Sequence, residues 1–105
     1  MPNDFAKVCS IDDIAEGEIK GFLTGGEPIL LARYGDRIYA LEDTCSHDGA
    51  GLSDGDLIDG QIQCPRHGGR FNLETGEATR MPAIVGIKSY RAEIRGGDIY
   101  VSLEK

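Results

Sequence analysis

Turn residues interrupt this chain at short, regular intervals, and no stretch repeats at the helical period long enough to make a helix of ordinary length. Glycine alone accounts for 15 of the 105 residues. Between the turns lie short apolar or alternating runs. Phe5 to Cys9 reads as a first strand, and Ser10 to Gly17 as a turn or one helical turn capped by Ser10 or Asp12. Glu18 to Leu23 alternates and ends on Thr24-Gly25-Gly26. Pro28 to Ala32 and Ile38 to Leu41 flank a hairpin signal at Tyr34-Gly35-Asp36-Arg37. Leu57-Ile58 and Ile62-Gln63 surround Asp59-Gly60, Arg70 to Asn72 follows, and Glu74 to Glu77 is a turn. Ile87 to Ile94 and Ile99 to Leu103 form a last hairpin across Gly96-Gly97-Asp98. Strands spaced at about 8 to 12 residues predict an all-β sandwich or small barrel. The length suits one domain spanning 1–105.

Composition removes several function classes. The longest apolar run, Pro28 to Ala32, is far short of the about 20 residues a membrane helix needs. The N-terminal residues lack a basic start followed by an apolar stretch, so no secretory signal is expected. Eighteen acidic residues against 11 basic ones give a net charge of -7. That balance disfavours nucleic acid as a ligand and favours a partner with a basic patch. Three cysteines at wide spacing make a poor disulfide framework and fit a reducing cytoplasm. Cys9, on the first strand, reads as a small buried side chain.

The other two cysteines each stand beside one of the chain's two histidines. Cys45-Ser46-His47 is one group and Cys64-Pro65-Arg66-His67 the other, with 16 residues between them. Both lie in glycine-bearing loops, with Gly49, Gly51, Gly68 and Gly69. Two thiolates and two imidazoles suit a metal of borderline softness, and zinc would accept them. Zinc sites, however, usually group like ligands together. One Cys and one His per loop suits a two-iron centre in which one iron takes both Cys and the other both His.

At this spacing the chain resembles the Rieske iron–sulfur family, whose motif is C-x-H, fifteen to seventeen residues, C-x-x-H. Leu52-Ser53-Asp54-Gly55, Gly68, Phe71, Thr75-Gly76 and Pro82-Ala83 extend the likeness from about Leu41 to the C-terminus. The resemblance implies a Rieske-type antiparallel β sandwich, with the two ligand loops at the tip of a cluster-binding part at about 43–83. It implies one [2Fe–2S] cluster, with Cys45 and Cys64 on one iron and His47 and His67 on the other. Two ferric ions, two sulfides and two thiolates sum to zero, so the oxidised holo-protein keeps the net charge of -7. Backbone amides around Asp48 to Gly51 and Gly68 to Arg70 are candidate donors to the sulfurs. Pro82 is expected in a loop that shields the cluster. Asp48 and Arg66, flanking the ligands, are candidate determinants of partner choice.

Within the family, the Rieske subunits of cytochrome bc complexes carry a further Cys in each ligand loop and two hydroxyl donors to the cluster. Ala50, Arg66, Gly69 and Phe71 stand at those positions here, so the disulfide and both hydroxyls are missing. Weaker hydrogen bonding to the sulfurs places the expected potential near the lower end of the roughly -150 to +300 mV Rieske range. Rieske oxygenases need two more His for a mononuclear iron, and both His are already used. No dinucleotide-binding G-x-G-x-x-G occurs.

The chain is therefore similar to the ferredoxins of multi-component ring-hydroxylating dioxygenases. The resemblance implies a monomeric one-electron carrier, not itself an enzyme. It would run from a flavin-dependent NAD(P)H reductase to a terminal oxygenase that dihydroxylates aromatic compounds. Electrons would pass through the His-ligated iron. Three other readings share parts of the pattern: the small subunit of a nitrite-reductase-like oxidoreductase, a ferredoxin serving another oxidoreductase, and a zinc module.

Overall fold

The structure, a computed structural model, describes residues 5–35, 37–44, 51–65, 68–81, 83 and 85–102. Among the described residues, ten strands form two antiparallel sheets. They are β1 (Phe5–Ser10), β2 (Ile19–Thr24), β3 (Glu27–Tyr34), β4 (Arg37–Glu42), β5 (Asp56–Ile58), β6 (Gln61–Gln63), β7 (Arg70–Asn72), β8 (Ala78–Arg80), β9 (Ser89–Arg95) and β10 (Asp98–Ser102). The larger sheet runs β1-β10-β9-β4-β3-β2 and the smaller β5-β6-β7-β8. Two single-turn 3₁₀ segments, Ile11–Asp13 and Leu52–Asp54, are the helical elements among the described residues.

The central strand explains why both sheets can pack. The apolar run at Pro28 to Ala32 lies in β3, between β2 and β4, and from Ile29 to Ala32 it is buried on both faces. Ile29 and Leu31 face one way, into a core with Ile14, Ala40, Ile99 and Val101. The larger sheet curls around this core and brings β1 towards β2. Leu30 and Ala32 face the other way, into a second core that joins the two sheets. That core contains Leu41, Leu52, Ile62, Cys64, Phe71, Leu73, Ala83 and Ile87.

Local turn chemistry matches the sequence where it was explicit. Asp59 and Gly60 have φ of 50° and 77°, the left-handed pair that a tight β5–β6 hairpin demands. Ser10 caps the first 3₁₀ turn: its Oγ accepts from Asp12 N–H at 3.2 Å and its N–H donates to Asp13 Oδ2 at 3.0 Å. Two readings need correction. The strand expected from Ile87 begins at Ser89, because Ile87 N–H instead donates to Gly76 O at 2.8 Å and its side chain enters the second core. Ala78–Arg80 forms β8, an element the sequence did not announce. The hairpin residue Asp36 and the strand end at Leu103 lie outside the described residues.

Candidate metal centre

Of the four sequence-predicted ligands, Cys64 is described; Cys45, His47 and His67 lie outside the described residues, as do Asp48, Arg66 and Pro82. Cys64 directly follows β6 and is 1% exposed, within the core shared by the two sheets. Its N–H donates to Gly69 O at 2.7 Å and its carbonyl accepts from Gly68 N–H at 3.2 Å. These bonds close the second ligand loop on itself, so Cys64 and Gly69 stand opposite each other at its neck. Gly68 N–H, a candidate donor to a sulfur, is engaged by Cys64 O.

The neck of this loop is held from a third side. A Cβ placed on Gly69 would stand 3.0 Å from Ala83 Cβ and 3.1 Å from Ala83 N. A side chain at residue 69 would thus require Ala83 to give way by a few tenths of an ångström. Ala83 N–H in turn donates to Arg80 O at 3.2 Å, which ties Ala83 to the end of β8. Neighbouring Met81 is 73% exposed and Val85 68% exposed, on either side of buried Ala83. A shallow groove runs along Ala78, Thr79, Arg80, Met81 and Ala83.

The first ligand loop is flanked by Asp43 and Ser53. Ser53 N–H donates to Asp43 Oδ1 at 2.8 Å, across the stretch that contains Cys45 and His47. Sequence reasoning did not single out this pair. Its only signal would have been an acidic residue two positions before a ligand, which is common in any acidic chain. Phe71, at the position where a hydroxyl donor could stand, is fully buried in the second core.

Cys9 lies apart from the centre. It is half-buried and packs against the first core instead of being enclosed by it. Burial pushes its thiol above the usual 9.0, and the Asp13 carboxylate adds to the shift. Both causes work against the thiolate that a nucleophilic cysteine needs.

The donor set fits an iron–sulfur cluster. Two Cys and two His would supply the mixed ligation of a two-iron centre, and Cys64, the described one, is withdrawn from water. Among the described residues no helix is long and apolar enough to cross a membrane.

The comparisons with known proteins point the same way. The model of the family described as "Rieske [2Fe-2S] domain" matches residues 4–91. The ferredoxin component of biphenyl 2,3-dioxygenase from Rhodococcus jostii is 40% identical over 93% of this chain and 92% of its own length. The ferredoxin of carbazole 1,9a-dioxygenase from Nocardioides aromaticivorans superposes with a TM-score of 0.93, at 30% identity over 97% of this chain and 100% of that one. A ferredoxin solved in complex with the oxygenase of carbazole 1,9a-dioxygenase gives 0.90, at 39% identity over 99% and 97%.

Proposed function

The chain belongs to the Rieske [2Fe–2S] family, and from that membership we propose that it is the one-electron ferredoxin component of an aromatic-ring dioxygenase system. One observation carries the proposal. The likeness to named ferredoxin components spans nearly the whole of this chain and of theirs. The chain is a carrier and not the oxygenase. Its two His both belong to the cluster motif, leaving none for a mononuclear iron.

In this reading the chain is one domain with its cluster-binding part at about 43–83. Cys45 and Cys64 hold one iron, and His47 and His67 hold the other. When bound, the cluster takes up and releases one electron at a time. The protein's own residues do the rest. Buried Cys64 keeps the sulfur-ligated side away from water. Gly69 lets Ala83 close over the second loop without an intervening side chain. Phe71 and Gly69 offer no hydroxyl to stabilise added negative charge, which holds the potential low.

A flavin-dependent NAD(P)H reductase supplies the electron and a terminal oxygenase receives it. The relative seen in complex with its oxygenase supports the second half of that route. A partner approaching the second ligand loop would meet Met81 and Val85, which stand exposed beside it. Such redox encounters are small and transient. The carrier works as a monomer in the cytoplasm. The test is reconstitution with a biphenyl-type or carbazole-type reductase and oxygenase. Product should form only when all three proteins are present, and this protein alone should yield none. Full turnover by reductase and oxygenase without it, or no turnover with any such pair, would count against the assignment.

A further inference from the structure

We infer that Asp43 is the positioning residue of the first ligand loop: its carboxylate ties the chain two residues before Cys45 to the 3₁₀ turn at Leu52–Asp54, and that turn braces the strand leading into Cys64. The inference rests on the ligand assignment above and adds to it the device that holds the two loops together.

The observations run in one continuous chain. Asp43 is fixed first through its backbone, whose N–H donates to Pro28 O at 3.0 Å on β3. Glu42 beside it is held twice by Lys88, with N–H to Lys88 O at 2.9 Å and Oε1 accepting from Lys88 N–H at 3.1 Å. The Asp43 side chain then reaches ten residues ahead to accept from Ser53 N–H at 2.8 Å. Ser53 lies in the first positions of a 3₁₀ turn whose own cap, Gly51, supplies no side-chain acceptor. An acceptor oxygen at that end satisfies an N–H that the turn itself leaves unbonded. Asp43 therefore caps a turn from outside it, and the cap closes the loop carrying Cys45 and His47.

The other end of the turn meets the second loop. Leu52 is fully buried in the core that contains Cys64. Gly55 N–H donates to Leu52 O at 2.9 Å, and a Cβ on Gly55 would collide with the carbonyl oxygen of Gln63. Gln63 is the residue before Cys64. Asp43, Ser53, Gly55 and Gln63 thus form an unbroken path from one ligand loop to the other.

β2 leaves room for the tie. A Cβ on Gly21 would stand 2.8 Å from Asp43 Oδ2 and 3.0 Å from Ser53 Oγ. A side chain at residue 21 crowds the free oxygen of the Asp43 carboxylate and the Ser53 hydroxyl, and one of them must shift. Gly21 is far from both loops in sequence, so it provides a second way to disturb the same pair.

The test compares four variants of the cluster-loaded protein: Asp43→Asn, Asp43→Ala, Gly21→Ala and Ser10→Ala. Asparagine keeps the acceptor oxygen. Ser10→Ala removes the cap of the other 3₁₀ turn and controls for general loss of stability. Two quantities are read: the rate of iron release to a chelator, and the paramagnetic resonance spectrum of the dithionite-reduced cluster. Asp43→Ala and Gly21→Ala should release iron about ten-fold faster than the unaltered chain and show displaced or broadened g values. Asp43→Asn and Ser10→Ala should match the unaltered chain in both. Unchanged release and spectrum in Asp43→Ala, or in Gly21→Ala should Asp43→Ala not fold, would overturn the inference. Equal damage from Ser10→Ala would overturn it too, because the effect would then be general. A mixed Cys/His signal from the unaltered chain accompanying either result shows that the ligand assignment stands; its absence would remove that assignment and the inference with it.

Discussion

At the scale of single residues, small side chains do most to shape the second ligand loop. A methyl group on Gly69 would meet the Ala83 methyl at 3.0 Å and its amide nitrogen at 3.1 Å, so Ala83 would have to give by a few tenths of an ångström. Overpacking of this kind costs about 1–3 kcal/mol. Gly69→Ala should therefore lower stability by about that amount in a urea titration, and Ala83→Gly in the same chain should recover much of it. Independent, additive losses would show that the two do not share a contact. Cys9 gives a prediction in pH. Its folded thiol titrates above its unfolded value of 9.0, through burial first and Asp13 second. The folded state thus binds that proton more tightly. Its contribution to stability is full below the unfolded value and is lost as pH rises towards the folded one. Alkylation of Cys9 by iodoacetamide should accelerate at a higher pH than alkylation of a free thiol. A rate profile matching the free thiol would show that burial does not govern it.

At the scale of elements, what was legible followed from how each strand is buried. β3 was visible as an apolar run because both its faces are covered, and β10 because Ile99 and Val101 alternate with more exposed neighbours. Ser10 and Asp59-Gly60 were visible because capping and left-handed turns restrict residue type. β8 was not, since Ala78-Thr79-Arg80 has no buried residue and exists only by pairing at the edge of the smaller sheet. The four candidate ligands were legible because spacing and residue type survive in sequence. The Asp43–Ser53 tie was not, because it depends on a fold that returns the chain ten residues later. The doubly covered strand carries its own prediction. Leu31→Ala, in the core inside the curled sheet, should cost about 2–5 kcal/mol in denaturant unfolding. A loss below about 1 kcal/mol would mean that this core collapses readily around the cavity.

At the scale of the whole molecule, charge and exposed apolar surface divide the work of finding a partner. A net charge of -7 acts over a distance set by salt, about 8 Å at physiological ionic strength. Association with a partner bearing a basic surface should slow as salt rises, read as the rate of electron transfer in stopped flow. Met81→Glu places a further charge in an exposed apolar position beside the second ligand loop. It should weaken docking to the oxygenase while leaving the cluster's spectrum unchanged. Transfer rates that ignore both salt and this substitution would place the docking surface elsewhere.

One two-iron cluster held jointly by Cys45, His47, Cys64 and His67 would carry a spectroscopic signature of its own. The most direct measurement is the paramagnetic resonance spectrum of the purified, dithionite-reduced protein. A rhombic signal is expected, with an average g clearly below that of an all-Cys [2Fe–2S] centre, because His donates less charge to iron than thiolate does. A signal with the all-Cys average, or silence from intact protein, would contradict it.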